Sequence, residues 1–346
     1  MGMDFKDYQS LAVAKINEQL EKLLQDYSSD IGGISQSLQP LIKFFIKGTK
    51  GGKRVRGIFI KLGYELAGGG ISDEIIKIAA AYEIFHTAIL AHDDVIDQSP
   101  TRRGQPSLYK SLGGAHHGIS QAICLGDCGF FLATKIIAES NFPAKLKVAA
   151  LEYFSKAMLD TAIGEMLDVE LPYLGSERFE KDVHTIMKLK TARYTVSTPL
   201  QLGAVLSGEA QGLVKILGQF GENLGIAFQI QDDILGVFGL EEIMGKSVTS
   251  DIEEGKNTIL IIEALKKSTR EQKKVLKKYY GKGTLTQAGL KAVRKVFLET
   301  KALDYAKKEV IKYTTRASNL IPRITNSPEK SKLLQQMIEY LIQRSK

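Results

Sequence analysis

The chain has 346 residues, of which 44% are hydrophobic and 25% are charged, and its formal net charge is +8. These proportions are typical of a folded protein and exclude a mainly disordered one. The positive charge favours anionic partners of several kinds: nucleic acid, membrane surfaces or phosphorylated small molecules. No apolar run approaches the roughly 18 residues of a membrane span, and the N-terminus lacks the features of a signal peptide. We therefore expect a soluble cytoplasmic protein without a membrane span.

The first segment with functional character is GTKGGKRVRG, residues 48–57. Its glycines leave the backbone mobile, and Lys53, Arg54 and Arg56 bring positive charge. Arginine forks match pairs of phosphate oxygens, and lysine adds a mobile point charge. Taken singly, each of these side chains is best explained as an exposed surface charge.

The segment from Ser72 to Pro100 predicts a long helix. Ser72 can cap its start, Asp73 and Glu74 suit the positive end of the helix dipole, and Pro100 ends the run. The residues between are nearly all apolar until the aspartates, which is typical of a helix inside a bundle. Helical periodicity dominates the rest of the chain, without a fixed repeat or a long linker. We predict one all-α domain, a large helical bundle covering residues 1–346.

The end of this helix reads HDDVIDQSPTRRG, residues 92–104. Asp93 and Asp97 share a face, Asp94 lies about 100° round from Asp93, and His86 precedes Asp93 by two turns. Like charges at this spacing repel, so positive charge must come from outside the helix. Either solvent hydrates the helix end, or a divalent cation binds there, and carboxylate oxygens suit Mg²⁺.

Cysteine and histidine pairs follow in the next segment. Cys124 and Cys128 are one helical turn apart and have no second cysteine pair to complete a zinc site. We interpret them as core residues in a reducing compartment. His116 and His117 lie in the glycine-rich GGAHHG, which we interpret as a turn and not as a metal site.

A second acidic pair lies in GENLGIAFQIQDDILGVFG, where Asp232 and Asp233 interrupt an apolar helical run. Gln229 precedes them on the same side of the helix. Charges in such a run are costly unless they are paired or bound to metal. Two such pairs suggest a bundle with an interior cavity lined by facing carboxylates, which could hold a polyphosphate through Mg²⁺.

Further basic residues accompany the two acidic clusters. Arg102 and Arg103 follow the first cluster, Lys190 lies in LKTARYT, and Lys246 and Lys256 follow the second cluster. Singly, each is best explained as a solvated charge. Their position beside glycine loops, helix ends and acids favours phosphate binding.

The segments GGKRVR, HDDVID with QSPTRRG, GEMLDVE, KTARYT, and FQIQDD with GKSVTSDIEEGK together resemble the trans-isoprenyl diphosphate synthases, or polyprenyl synthetases. This family contains farnesyl and geranylgeranyl diphosphate synthases, and the likeness is greatest to the geranylgeranyl type. The motifs agree in order and spacing from about residue 40 to about residue 265. No chemical role is assigned to the helices from 265 to 346. The resemblance implies the all-α isoprenoid synthase fold with a central apolar cavity.

The resemblance also implies residue roles. Several Mg²⁺ ions per active site are expected to bridge the acidic clusters and an allylic diphosphate. By similarity, the direct ligands are Asp93, Asp97 and Asp232, with Asp94 and Asp233 close by and Asp168 and Gln229 in support. The same diphosphate is expected to contact Arg102, Lys190, Thr191, Lys246 and Lys256. Isopentenyl diphosphate is expected to contact Lys53, Arg56, His86 and Arg103.

The implied reaction is ionisation, condensation and elimination. The allylic carbon–oxygen bond breaks, the double bond of isopentenyl diphosphate attacks the allylic cation, and a proton is lost. The primer is dimethylallyl, geranyl or farnesyl diphosphate, and the product expected is geranylgeranyl diphosphate. A farnesyl product and a product of twenty-five or more carbons are the alternatives. The family expectation is a homodimer.

The chain departs from the family pattern in two places. Many members have a third acid in the second motif, where this chain has Gly236. The residues expected to form the floor under the growing product are Ala88 and Ile89, and the small Ala88 is expected to leave that floor open. Tyr82 and Phe85, deeper along the helix, are either a lower stop or core aromatic residues.

Three other functions fit the sequence less well. A non-catalytic subunit of a prenyl synthase would not need such a complete set of acids and bases. A nucleic-acid-binding protein would carry a clustered basic and aromatic patch, and we expect no nucleic-acid partner. A terpene cyclase would not need the cations for a second diphosphate. We further expect Arg102 and Arg103 to serve different diphosphates, not to form a salt-bridge network with the aspartates.

Overall fold

The computed structural model describes residues 3–174, 180–209, 211–239 and 249–342. Helices dominate these residues, which confirms the all-α prediction. The helices up to residue 238 are α1 (Phe5–Ile34), α2 (Gln39–Thr49), α3 (Val55–Leu66), α4 (Asp73–Ile96), α5 (Leu108–Ser111), α6 (Ala115–Ala138), α7 (Ala144–Glu170), α8 (Glu180–Ile186), a π-helix (Met187–Ser197), α9 (Thr198–Leu206) and α10 (Gln211–Phe238). Short 3₁₀ segments lie at Gln36–Leu38 and Leu171–Leu174.

The described residues after 248 form a second series of helices. They are α11 (Ser250–Glu253), α12 (Ile259–Lys267), α13 (Arg270–Tyr279), α14 (Gln287–Glu299), α15 (Ala302–Ser318), α16 (Ile321–Ile324) and α17 (Pro328–Ile342). One small antiparallel hairpin pairs β1 (Thr101–Arg102) with β2 (Gln105–Pro106).

The long helix predicted after Ser72 is α4. The Ser72 hydroxyl accepts a hydrogen bond from the backbone N–H of Ile75 at 3.4 Å, and Asp73 and Glu74 lie in the first turn. The helix ends at Ile96, with Asp97 as its C-cap. Most of its side chains are buried, as a bundle interior requires.

Contacts divide the chain into two compact units. The first comprises Met1–Phe154 and Pro199–Val214, and the second comprises Ser155–Thr198 and Lys215–Lys346. Within the first unit, α4 packs on α1, α3 and α6. Within the second, apolar side chains of α10, α12, α14 and α15 form a continuous core. The single domain expected from the sequence stays a prediction.

Two helices, Asp73–Ile96 and Ala115–Ala138, are long and apolar enough to cross a bilayer by length and composition alone. The most apolar window of the first is 72% buried inside the protein, as in the core helix of a folded bundle. For the second the buried share is 39%. The expected absence of a membrane span therefore stays a prediction.

The structure contradicts the placement of the two cysteines in the core and of the two histidines in a turn. Cys124 and Cys128 are free and exposed on α6 because the opposite face of that helix, with Gly126 and Gly129, packs against α4. Helix α6 begins at Ala115, directly after the two glycines of GGAHHG, so both histidines lie in the first turn of that helix.

Helices α3 and α9 approach each other through two glycines. A Cβ atom on Gly63 would lie 2.8 Å from the carbonyl carbon of Leu200. A Cβ atom on Gly203 would lie 2.7 Å from the backbone nitrogen of Tyr64 and 3.0 Å from the carbonyl carbon of Ile60. Backbone atoms cannot move aside cheaply, so both positions require glycine.

We therefore expect Gly203→Ala to destabilise the protein by about 1–3 kcal/mol, the usual cost of overpacking. Gly212→Ala is the control, because no atom lies within 4 Å of its added Cβ atom. That variant should be neutral or stabilising by up to about 1 kcal/mol. Urea or thermal unfolding measures both, and equal stability of Gly203→Ala and the wild type would contradict this packing.

Candidate active site

The loop before α3 is held by a buried ion pair. Arg54 has a left-handed backbone (φ 49°), and its side chain is 5% exposed. Its Nε donates to Asn17 Oδ1 at 2.7 Å, and its Nη1 lies 3.8 Å from Glu83 Oε2. Glu83 also accepts from the backbone N–H of Gly57 at 2.9 Å. Arg54 thus anchors the loop from inside.

Glu83 was missed from the sequence, although a signal was present. It is the one acid in the buried middle of α4, and a charge in such a position is costly unless it is paired. Its partner lies almost thirty residues earlier, at Arg54.

The hairpin at residues 101–106 separates the two arginines that follow the first acidic cluster. Arg103 and Gly104 occupy its turn with φ angles of 54° and 72°, the left-handed pair of a type I′ turn. Arg103 Nη1 donates to the Lys50 carbonyl at 3.2 Å, beside the glycines of the anchored loop. Arg102 lies in β1 and contacts the aspartates instead.

Cations converge on the side of α4 that faces this loop. The pKa of the Arg103 guanidinium is lowered, mainly because the group is buried and secondly because the positive charge of Arg54 is near. The pKa of His86 is lowered well below its ordinary value, mainly because the ring is buried and secondly because Arg56 and Arg103 are positively charged. Mutual repulsion among these groups means that a bound anion would stabilise them. Lys53, in the same loop, is exposed.

Arg102 forms a salt-bridge network with the first acidic cluster. Its Nη2 donates to Asp93 Oδ2 at 3.0 Å and also contacts Asp94, and its Nε donates to Asp94 Oδ1 at 2.8 Å. The expectation that this arginine and the acids do not pair is therefore wrong. Adjacent carboxylates at the end of an apolar helix need a positive charge, and the hairpin supplies it. For Arg103 the contacts lie elsewhere, as expected.

Asp93 and Asp94 differ in environment. Asp94 is 2% exposed, and burial raises the pKa of its carboxyl even though Arg102 acts in the opposite direction. The Asp93 side chain is 17% exposed. The bonds to Asp94 and Asp93 more than offset burial and raise the pKa of Arg102 above its ordinary range. Asp97, the C-cap of α4, is half-buried.

In the second unit, a chain of hydrogen bonds leads to the second acidic pair. The Thr191 hydroxyl donates to Gln229 Oε1 at 2.8 Å, and Gln229 Nε2 donates to Asp233 Oδ1 at 2.7 Å. The pKa of Asp233 is raised well above its ordinary range, mainly because the carboxyl is buried and secondly because the negative charge of Asp251 is near. Asp232 is more accessible, so it is the better metal ligand of the two.

Lys190 lies on the π-helix, an uncommon element that is often found at functional sites. Its Nζ lies 2.7 Å from Glu165 Oε2 and 2.8 Å from Asp168 Oδ2. Asp168 was expected in support, whereas the role of Glu165 was missed. Gly164 allows this approach, because a Cβ atom there would lie 3.0 Å from Lys190 Cα.

Of the two remaining lysines of the site, the structure describes Lys256 but not Lys246. Lys256 Nζ lies 3.1 Å from Glu254 Oε2 and 3.5 Å from Asp251 Oδ1, which places it beside the second cluster. Lys246 lies outside the described residues.

The residues expected to limit product length lie in an aromatic cluster. The Phe85 ring centroid is 5.2 Å from Tyr82, 5.7 Å from Phe130 and 4.8 Å from Phe154. Tyr82 and Phe85 are both fully buried, so both roles proposed for them remain open.

The floor residues next to that cluster differ in exposure. Ala88 is also fully buried, and a Cβ atom on Gly129 would lie 2.9 Å from Ala88 Cβ and 2.8 Å from Phe45 Cζ. The α6 backbone at Gly129 thus packs closely on Ala88. Ile89 is half-buried, on the same side of α4 as His86 and Asp93.

Among the described residues, no group of three or more histidine, cysteine or acidic side chains already surrounds a point where a metal could bind. The chemistry of the donors nevertheless fits Mg²⁺, because each cluster offers at least one accessible carboxylate toward the C-terminal end of a long helix. Asp93, Asp97 and Asp232 are the residues that could hold it.

A family model for polyprenyl synthetases matches residues 38–297. The chain belongs to the polyprenyl synthetase family. This span includes both acidic clusters and the cationic loop, in agreement with the resemblance read from the motifs.

Curated relatives cover nearly the whole chain. A geranylgeranyl diphosphate synthase of Sulfolobus acidocaldarius is 30% identical over 329 residues, covering 90% of this chain and 97% of the relative. A geranylfarnesyl diphosphate synthase of Aeropyrum pernix is 32% identical over 304 residues, covering 86% and 91%.

Solved structures show the same fold. The geranylgeranyl pyrophosphate synthase of Corynebacterium glutamicum, complexed with isoprenyl diphosphate and magnesium, matches with a TM-score of 0.91 at 24% identity and covers 99% of this chain and 100% of that one. The polyprenyl synthase of Caulobacter crescentus, complexed with calcium and isoprenyl diphosphate, matches with a TM-score of 0.82 at 28% identity and covers 100% and 99%. The predicted isoprenoid synthase fold class is thus confirmed.

Proposed function

We propose that this protein is a trans-prenyltransferase that condenses isopentenyl diphosphate with an allylic diphosphate, namely dimethylallyl, geranyl or farnesyl diphosphate. One observation carries the proposal. The hairpin directs Arg102 to a carboxylate cluster and Arg103 to a cluster of cations, within one unit of the chain. Such a pair of sites suits two diphosphates, one bound through metal and one bound by positive side chains alone.

The allylic diphosphate is assigned to the carboxylate clusters. Several Mg²⁺ ions would be held by Asp93, Asp97 and Asp232, with Asp94 and Asp233 beside them, and would neutralise the charge on the departing diphosphate. The cations that would contact the same group are Arg102, Lys190, Lys246 and Lys256. Thr191 and Gln229 orient this side through their hydrogen bonds to each other and to Asp233.

Isopentenyl diphosphate is assigned to the cationic cluster of Lys53, Arg56, His86 and Arg103. Burial and the surrounding arginines lower the pKa of His86 in the absence of ligand, and a bound diphosphate would act in the opposite direction by offsetting those charges. Holding both substrates in register and excluding water accounts for the condensation, with no protein nucleophile. The proton lost at the end is assigned to the released diphosphate.

The product proposed is geranylgeranyl diphosphate. Its support is the relative from Sulfolobus acidocaldarius, which bears that activity in its name. A product of twenty-five or more carbons is the second candidate, because the Aeropyrum pernix relative is named a geranylfarnesyl diphosphate synthase and is equally similar.

The test is an assay of the purified protein with isopentenyl diphosphate and each allylic primer, with and without Mg²⁺. We expect a twenty-carbon product that disappears when the metal is removed. Asp232→Asn should lower turnover by about 10²–10³-fold, as the loss of one charge-stabilising group does. Absence of Mg²⁺-dependent condensation with any primer would leave the non-catalytic subunit as the explanation.

The same assay addresses product length. If Phe85 acts as a stop, Phe85→Ala should lengthen the product, and Phe85→Leu should change it less. Because Phe85 is fully buried, its removal also costs about 3–5 kcal/mol of stability, so folding is checked by circular dichroism. An unchanged product length in folded Phe85→Ala would make this residue a core aromatic.

The two arginines provide a separate test of the two-site assignment. Arg102→Gln should raise the KM for the allylic primer, and Arg103→Gln should raise the KM for isopentenyl diphosphate. Each change should be about 10- to 100-fold, which corresponds to one lost hydrogen bond to a charged group. Each variant is the control for the other, and a rise in the same KM for both would contradict separate roles.

We also propose a homodimer. Its support in the first unit is the exposure of two large apolar side chains on α6, Phe131 at 74% and Ile123 at 39%. In the second unit, α7 exposes Leu159, Ile163 and Met166 at helical spacing. Unpartnered apolar faces of this kind mark association surfaces. A cytoplasmic location is proposed with it, because the two cysteines are free.

Sedimentation velocity tests the dimer. The wild type should sediment as twice the chain mass of 38.1 kDa. Phe131→Glu and Met166→Glu should shift it toward the monomer. Ile71→Glu, at an isolated position that is 94% exposed, should not. A monomeric wild type would exclude the proposal.

A further inference from the structure

The positive charge of the protein is concentrated in the last part of the sequence. Residues 1–265 contain 33 aspartates and glutamates against 26 lysines and arginines, whereas residues 266–346 contain 6 against 21. The densest stretch is 266–295, with eleven lysines and arginines and a single acid. Every cation assigned to a diphosphate precedes this stretch, so the proposed function leaves its charge unexplained.

Helix α13 places five of these cations on one face. They are Arg270, Lys273, Lys274, Lys277 and Lys278, and all five are exposed. The spacing i, i+3, i+4, i+7 and i+8 defines a single stripe along a helix. The opposite side of the helix holds Leu276, which is 2% exposed, and the half-buried Val275 and Tyr279. Packing therefore turns the five cations, here called the basic face, toward solvent.

The basic face has few negative charges near it. Glu271 is the only acid in residues 270–279. Within the described part of the chain, no carboxylate forms an ion pair with any of the five cations. Lys267, just before the helix, differs in this respect, because its Nζ lies 2.6 Å from Glu263 Oε1. Like charges one turn apart repel, so an anionic surface nearby would stabilise this helix.

The basic charge continues onto the next helix. Gln272 of α13 donates from Nε2 to Glu299 Oε2 of α14 at 2.9 Å. Lys295 lies 3.7 Å from Oε1 of the same acid, and 74% of its side chain is exposed. Lys291, one turn earlier on α14, and Lys282, between the two helices, are exposed as well. The positive surface is therefore wider than one helix, which suits a broad anionic partner better than a single small anion.

The side chains of the basic face fit the surface of a membrane that contains anionic lipids. About four to eight lysines and arginines on an amphipathic helix are typical of such binding, and each contributes about fivefold to the affinity. Among residues 270–279, no large apolar side chain is exposed. The helix would therefore bind lipid head groups through charge and would not insert into the hydrocarbon.

The neighbouring aromatic residues favour a membrane over a nucleic acid. Tyr279 packs against α14, where a Cβ atom on Gly289 would lie 2.8 Å from the tyrosine Cδ1. The Tyr280 hydroxyl donates to the Lys256 carbonyl at 2.5 Å. Both rings are thus engaged within the protein, and they offer no platform on which bases could stack.

We propose that the basic face of α13 docks the protein on the surface of a membrane that contains anionic lipids. The proposed product gives a further reason for this partner, and this reason alone rests on the proposed function. Each buried CH₂ group of a lipid chain favours the bilayer by about fourfold. A twenty-carbon product is therefore far more stable in a bilayer than in water, and docking brings the enzyme to that phase.

Cosedimentation with vesicles tests the docking. The probes are vesicles of phosphatidylcholine alone and of phosphatidylcholine mixed with phosphatidylglycerol, an anionic lipid. The wild type should bind only the anionic vesicles, and rising salt should weaken the binding because it screens exposed charges. Wild-type protein that binds both kinds of vesicle equally, or neither, would overturn the proposal.

A quadruple variant removes most of the charge of the basic face. It combines Lys273→Gln, Lys274→Gln, Lys277→Gln and Lys278→Gln. Its affinity for anionic vesicles should fall by about 10²–10³-fold, at about fivefold for each cation. The four side chains are exposed, so the variant should fold, and its circular dichroism and melting temperature check this.

The matched control removes the same net charge from the first unit. It changes to glutamine four exposed lysines of that unit: Lys6, Lys15, Lys43 and Lys145. This control should bind anionic vesicles as the wild type does. An equal loss of affinity in both quadruple variants would reveal an effect of net charge alone and would contradict a docking face.

A labelled DNA duplex distinguishes the two anionic partners. It is titrated with the wild type and with the basic-face variant at the salt concentration of the vesicle experiment. If the duplex binds the wild type and not the variant, while anionic vesicles bind neither, the basic face is a nucleic-acid surface and the membrane proposal is wrong.

Turnover separates the docking from the proposed function. Without vesicles, both quadruple variants should condense the substrates at the wild-type rate, because none of the changed lysines is assigned to a diphosphate. Asp232→Asn, which should lose turnover, should bind anionic vesicles as the wild type does. Vesicle binding without any condensation would remove the proposed function and leave the docking. Condensation without vesicle binding would do the opposite.

Discussion

The arrangement of this protein depends on the need to compensate carboxylates placed at the ends of apolar helices. Asp93 and Asp94 follow more than five turns of mostly buried helix, and their mutual repulsion requires a nearby positive charge. Arg102 provides it from a hairpin that begins only four residues beyond the C-cap. In the second unit, Gln229 donates a hydrogen bond to Asp233, and Lys256 supplies positive charge beside Asp251. Carboxylates grouped in this way are suited to a divalent cation.

Neighbouring residues of like charge take different roles throughout the site. Asp94 and Asp233 are buried and bonded to protein groups, whereas Asp93 and Asp232 remain more accessible. On a helix this follows from the 100° step between adjacent residues, which directs one acid inward and leaves the other at the surface. For Arg102 and Arg103 the cause is the type I′ turn, since Arg102 lies in its strand and Arg103 in its bend.

Features that depend on residues close in sequence could be predicted, whereas contacts between residues far apart in sequence could not. The start of α4, its cap at Ser72 and the shared face of Asp93 and Asp97 depend on local geometry, and the structure agrees with them, although the helix ends at Ile96 and not at Pro100. The pairing of Arg54 with Glu83 joins residues far apart in sequence, so periodicity could not reveal it. Exposure of Cys124 and Cys128 was mispredicted because residue type does not show which face of α6 packs on α4.

Motifs count residues along the chain, but binding depends on where the charged atoms lie. Along the chain, the second cluster has Gly236 at the position where many family members have a third acid. Judged by space, the carboxylate of Asp251 lies at that place, and an aspartate at 236 would collide with it. A motif that lacks an acid along the chain can therefore still have a carboxylate close to that place in the fold.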